Sequence, residues 1–149
     1  MLMITYPIYT CYNIFMNYWL VKADPESDYS LDDLQKDGST LWDGVHNFQA
    51  INFIKTWVPG DKIYIYHSQK EKAIVGLAEV ASLPSENKAD TRTSWAAWIK
   101  FVKKFDTPVT LSQIKSEPGN KDFLLVRNPR LSVMPVPESV NVFLESKLS

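Results

Sequence analysis

Few side chains in this 149-residue chain have the type and spacing for reactive chemistry. His46 and His67 are the only histidines, 21 residues apart, with no H-E-x-x-H spacing and no cysteine cluster beside them, so no metal site is expected. Cys11 is the only cysteine, which excludes an internal disulfide and a thiolate zinc site, and no charged neighbour in sequence favours its thiolate. No G-x-S-x-G is present. His67 and Ser68 are adjacent, and neighbours on a strand point to opposite faces, which argues against a Ser–His dyad. The five glycines are scattered and form no phosphate loop. The expectation is a protein that is not an enzyme, with no catalytic residue and no cofactor.

What remains is aromatic chemistry. Trp19 ends up near a break at Asp24-Pro25, and Trp42 sits in Leu41-Trp42-Asp43-Gly44-Val45-His46-Asn47, just before a helix. A tryptophan in a loop either pins that loop to the core or presents a flat wall to a planar ligand, and the residues alone leave both open. Stacking a nucleobase on an aromatic ring is worth about 1–3 kcal/mol, so two such walls would matter. Gly44 would let a ligand approach the backbone, and Asn47 offers donor and acceptor atoms together.

The elements that must carry these residues follow from pattern and punctuation. Tyr18–Lys22, Lys62–His67, Ala73–Ala81, Trp95–Phe105 and Arg130–Val136 read as strands. Within Lys62–His67, Ile63, Ile65 and His67 share one side, and Tyr64 and Tyr66 the other. Gly76 marks a bulge or a close backbone approach. Ser30 with Asp33, and Thr110 with Gln113, are capping boxes that open short helices. Asn47–Trp57 is a helix ended by Pro59-Gly60, and Pro137 opens a last one. Thr40–Val45 and Leu83–Ser94 read as loops. Strands and helices do not alternate strictly, which argues against a doubly wound parallel sheet and for an α+β fold, a small curved sheet or barrel surrounded by short helices.

Composition sets the outer limits. A content of 45% hydrophobic and 22% charged residues excludes a disordered chain, and the length fits one domain. The net charge of −1 argues against a strong general nucleic-acid binder. It hides an asymmetry: residues 1–60 hold seven acids and three bases, residues 61–149 ten acids and thirteen bases. The basic half is either a solvated face or a modest phosphate-facing side. Met1–Phe15 carries no charge and is too short to span a bilayer. It reads as an N-terminal extension, from an upstream start or as an apolar arm, with a weak homodimer through residues 1–15 as its suggested contact. Residues 16–149 form the domain. A cytoplasmic location is expected, nuclear in a eukaryote, with no membrane partner.

The segments singled out resemble a known family. Tyr18-Trp19-Leu20-Val21-Lys22-Ala23-Asp24-Pro25 resembles the Y-W-L-x-K-S-E-P that opens the EVE domain, and Tyr29-Ser30 with Asp33-Leu34 its Y-S-x-x-D-L. Trp42 to Ile51 resembles W-D-G-V-R-N-Y-Q-A-R; Gly60-Asp61 with Tyr66-His67-Ser68, G-D…F-Y-H-S; and Ile74 to Val80, I-V-G-x-A-E-V. Phe101, Pro108 to Leu111 and Arg130 to Val136 complete a match in order from residue 16 to about 146. The resemblance implies a PUA-like curved β-barrel of about five or six strands, similar also to YTH domains. Thymocyte nuclear proteins carry the same domain.

The resemblance further implies a non-catalytic module for a modified nucleobase, chiefly modified cytosine such as 5-methylcytosine in DNA, flipped into an aromatic pocket. A module for a modified RNA base and a protein-interaction domain with a vestigial pocket are the alternatives. Trp19 and Trp42 are expected to wall the slot, with Asp24, Asn47, Ser132 and the backbone at Gly44 and Val45 reading the base edge. Tyr66, His67, Ser68 and Leu131 are expected along the slot, and Lys22 and Arg130 on phosphate or a carboxylate. The sequence departs from the family pattern at Ala23 for Ser, Asp24 for Glu, Phe48 for Tyr, and His46 and Ile51 for Arg, which removes two fixed positive charges.

Overall fold

The computed structural model describes residues 17–149. The extension expected at residues 1–15, and any contact between copies through it, lies outside the described residues. The strands are β1 (Tyr18–Ala23), β2 (Ser39–Trp42), β3 (Lys62–His67), β4 (Ala73–Val80), β5 (Ser85–Glu86), β6 (Trp95–Thr110) and β7 (Val133–Pro135). The helices are α1 (Leu31–Asp37), α2 (Phe48–Ile54), α3 (Leu111–Ser116), α4 (Leu124–Arg127) and α5 (Glu138–Lys147), with a 3-10 turn at Pro118–Asn120.

The strands run in the order β2-β6-β4-β3-β1-β7, and the two-residue β5 pairs with β6 alone. Only β1 and β3 are parallel, with Leu20 opposite Tyr64. Both strands are buried almost throughout, as central strands covered on two faces must be. On one face Trp19 packs against Phe53 of α2 and against Trp57, with ring centroids 6.1 and 6.3 Å away. On the other, Tyr18 stacks on Tyr64 at 5.6 Å, and the Tyr64 hydroxyl donates to Asn141 of α5.

The sheet curls because its ladders are broken. Between the pairs Gly76–Lys104 and Ile74–Val109, β6 carries four residues where β4 carries one. Bulges of this kind bend a strand and increase its twist. Pro108 is tolerated inside β6 because it falls in this unpaired stretch, and the neighbouring Asp106 amide donates to Ser149 O at 2.7 Å. Gly76 is both bulge and close approach. A Cβ there would sit 2.5 Å from both Leu31 methyls and 2.9 Å from Lys103 O.

Both capping boxes form as read, at Ser30 with Asp33 and Thr110 with Gln113. Other boundaries differ. Ser39–Trp42 is a strand rather than loop, since Thr40 and Trp42 pair with Ile99 and Ala97 of β6, which offers a free edge. β6 runs on to Thr110 through the bulge, while the last strand contracts to Val133–Pro135 because Asn128–Leu131 closes a turn. Pro137 is the N-cap of α5, one residue ahead of the expected position. The 3-10 turn and α4 were not foreseen, because three or four residues show no helical period. Among the described residues, no helix is long and apolar enough to cross a membrane.

Candidate functional site

The seam between the two edges of the curled sheet holds a pocket of about 270 Å³. Lys22 of β1 and Ser132, just ahead of β7, line one side; Thr40, Leu41 and Trp42 of β2 line the other, followed by Asp43, Gly44 and Val45; Asp28 and Tyr29 complete it. Curling brings these segments together although they are far apart in strand order.

Each side chain is positioned by an identifiable device. Tyr29 immediately precedes the capping box of α1, which fixes its direction, and its hydroxyl donates to Asp37 at 2.7 Å. Burial first, and Asp37 second, push its pKa up to about 12, so it stays a neutral donor at physiological pH. Its ring meets Trp42 edge-on, with centroids 6.5 Å apart and planes at 75°. Trp42 is held through the ladder to Ala97 and stays partly exposed. Gly44 takes φ +74, a left-handed conformation that suits glycine, and turns the chain from β2 toward α2. Lys22 donates to Pro129 O at 2.6 Å, and burial lowers its pKa. An ammonium has three donors, so this bond leaves two for other partners.

Lys22, Trp42, Gly44, Val45 and Ser132 are thus brought together, and the other expected residues sit elsewhere. Trp19 is the principal correction. Its ring is 6% exposed, packed against Phe53 and Trp57, and its Nε1 donates to Asp61 Oδ2 at 3.0 Å. Two facing indoles do not line the pocket; Trp42 and Tyr29 are its aromatic residues.

Asp24 holds its own turn, accepting from the Glu26 amide, the Ser27 hydroxyl and Gln69, with Ser27 foremost in lowering its pKa. Asn47 is the N-cap of α2, its Oδ1 accepting from the Ala50 amide at 3.0 Å. Tyr66 and Leu131 are core residues, and burial raises the Tyr66 pKa. Ser68 donates from its amide and hydroxyl to Ala23 O. Arg130 is exposed and two residues from the pocket-lining Ser132.

His67 is buried beneath α1. Its Nε2 accepts from the Leu31 amide at 3.0 Å, and its Nδ1 lies 2.6 Å from Glu71. These partners require the neutral imidazole with its proton on Nδ1, a structural role at the start of α1. Among the described residues, no group of three or more His, Cys, Asp or Glu stands close enough to hold a metal.

Asp28, Tyr29, Thr40, Leu41 and Asp43 line the pocket without having been singled out as site residues. Tyr29 carried a signal, because it sits next to a capping box and so is placed rigidly; Asp43 lies between Trp42 and Gly44. Nothing local marked Asp28 or Thr40.

Comparison with known proteins places this geometry in context. The EVE domain family model matches residues 17–146. Thymocyte nuclear protein 1 of Rattus norvegicus is 30% identical over 171 aligned residues, covering 92% of this chain and 76% of that protein. A hypothetical protein from Leishmania major superposes with a TM-score of 0.80 at 33% identity, covering 89% of this chain and 94% of that one. Human THYN1 protein, solved in complex with 5-methylcytosine containing DNA, superposes with a TM-score of 0.78 at 26% identity over 87% of this chain and 96% of that one. The curled sheet with its short helices is a PUA-like α+β fold. With a family model covering nearly every described residue, this chain belongs to the EVE domain family.

Proposed function

We propose that this protein is a non-catalytic reader of a modified base in DNA, with modified cytosine flipped into the pocket between β1 and β2. The observation that carries the reading is the pocket itself. It is small, about 270 Å³, and has aromatic side chains from Trp42 and Tyr29 beside charged groups from Lys22, Asp28 and Asp43. Ligand pockets for drug-sized molecules run from about 300 to 1,000 Å³, so this one suits a single small heterocycle. The human THYN1 complex with 5-methylcytosine containing DNA supports the choice of ligand.

The polar groups match a cytosine edge in kind. Its exocyclic amine is a donor, which the Asp28 and Asp43 carboxylates can accept. Its ring carbonyl is an acceptor, served by the Lys22 donors that Pro129 leaves over. Thymine, with a carbonyl in place of the amine, would set acceptor against acceptor. A methyl on the ring contributes about 0.8 kcal/mol if it fills an apolar corner, here beside Val45 or Leu41. Extruding the base costs a few kcal/mol, which stacking on Trp42 and the edge bonds must offset.

The test is fluorescence anisotropy with one DNA duplex carrying plain or 5-methylcytosine, and with the matching RNA. The methylated duplex should bind more than about threefold tighter than the plain one, a factor consistent with burying one methyl group. Trp42→Ala should weaken methylated binding about fivefold or more and erase the preference, since one stacked base is worth about 1–3 kcal/mol. Equal affinity for plain and methylated DNA, or a preference that survives loss of the indole, sinks the reading. Preference for RNA over both duplexes replaces DNA with RNA.

A further inference from the structure

A second concavity lies between the β3–β4 turn and the junction of β6 with α3. It measures about 330 Å³ and is lined by Lys70, Lys72 and Lys115, with Glu71, Thr110 and Ser112. Its charge is one-sided. Glu71, the one carboxylate in its wall, is turned to His67, with Oε1 2.6 Å from Nδ1. Lys70 reaches only an exposed partner, Glu26, at 3.2 Å. Lys72 and Lys115 pair with no carboxylate among the described residues. Ser112 adds a hydroxyl to the same wall. Two of the three ammonium groups around this hollow thus have no carboxylate partner among the described residues, which leaves the hollow locally positive in a chain of net charge −1.

The hollow is tied to the base pocket. The hairpin carrying Lys70 and Lys72 is fastened to the end of β1, where the Ser68 amide and hydroxyl both donate to Ala23 O, at 3.0 and 3.2 Å. Gln69 reaches Asp24 at 3.4 Å and Lys70 reaches Glu26. That same turn runs directly into Asp28 and Tyr29, which line the base pocket. The base pocket itself offers phosphate little. Its one ammonium, Lys22, already gives a donor to Pro129 O, and the Asp28 and Asp43 carboxylates repel an anion.

We propose that the Lys70–Lys72–Lys115 hollow is a phosphate subsite that takes the backbone of the DNA strand whose base enters the pocket. The inference rests on the DNA-reading function proposed above. It divides labour between the two concavities: the edge-reading slot gives selectivity, and the lysine hollow gives affinity without regard to base. Phosphate contacts position a protein on DNA and carry no sequence information, so the two contributions are separable by measurement.

The experiment compares Lys72→Gln/Lys115→Gln with the unaltered protein on plain and methylated duplexes, from 50 to 300 mM salt. Each phosphate contact contributes about 0.9 to the slope of log affinity against log salt, so the double variant should lower that slope by nearly 2. Affinity should fall by the same factor on both duplexes, leaving their ratio unchanged. Circular dichroism melting checks that both proteins are folded, and the single Lys115→Gln variant, expected to lower the slope by about 1, serves if the double variant is not. An unchanged slope in a protein that still prefers methylated DNA overturns the phosphate subsite and leaves the reading intact. A loss confined to one duplex overturns it too, because the lysines would then act on the base. If the unaltered protein binds neither duplex, the DNA reading fails and the subsite with it.

Discussion

Asp61 accepts two hydrogen bonds inside the protein, from Trp19 Nε1 at 3.0 Å and from the Val58 amide at 3.1 Å, and is 6% exposed. The first of these bonds helps to separate the tryptophan that belongs to the core from the one available to a ligand. Trp19 has its nitrogen satisfied and its faces against Phe53 and Trp57, whereas Trp42 touches Tyr29 edge-on at the rim of the pocket. Removing the carboxylate orphans one buried donor, Trp19 Nε1, and one partly buried donor, the Val58 amide, so Asp61→Ala should destabilise the fold by about 2–3 kcal/mol in urea unfolding. Asp61→Asn keeps an acceptor oxygen and should cost less than half of that. Equal losses would mean that the charge, not the acceptor, matters. The sequence placed Trp19 in a strand and Trp42 in a loop ahead of a helix but held nothing local to show that Trp19 is tied into the core, because its acceptor lies 42 residues away. His67 was hidden for the same reason, since the amide that it accepts from is 36 residues distant.

Among the elements, β4 shows how charge supports a strand that is otherwise apolar. Glu79 stands opposite Lys62 of β3 and Lys100 of β6, and both ammonium groups reach its carboxylate, Lys100 at 3.2 Å. The Lys62 hydrogen bond foremost, and Lys100 after it, hold the Glu79 pKa below its ordinary value of 4.5. A carboxylate depressed in the folded state contributes stability that is present above pH 4.5 and lost as pH falls through the folded value. Glu79→Gln should therefore cost about 0.5–1 kcal/mol at pH 7, the range for a partly exposed pair, and nothing in strong acid. Thermal melts of both proteins from pH 7 to pH 2 test this, and a constant gap across that range would refute it. Elements such as β3 and the two capped helices were legible because period and capping are local. β2 was not, since a four-residue strand exists only through the edge of β6 that it pairs with.

At the scale of the whole molecule, fold and site draw on different residues, and that separation can be measured. The core cluster runs through β1, β3 and β4 and includes Trp19, Tyr66 and Leu131 from the motifs that marked the family. The pocket takes its walls from β2, Lys22 of β1, the turn after β1 and the segment before β7. Family motifs thus announced the fold more faithfully than the site, because much of what they fix is packing. A ligand that binds only the folded state stabilises it by about 2.7 kcal/mol at a hundredfold excess over its Kd, which for a domain of this size is a melting shift of about 5–10 °C. Methylated duplex at that excess should raise the melting temperature of the unaltered protein by this amount. Trp42→Ala, altering a partly exposed rim residue, should melt within a few degrees of the unaltered protein when alone and lose most of the shift with DNA. Asp61→Ala should do the reverse, melting early alone yet gaining a comparable increment when methylated duplex is supplied at the same multiple of its own Kd. If both variants lose the increment together, the pocket is not an independent unit on this scaffold, and the division between core indole and pocket indole fails.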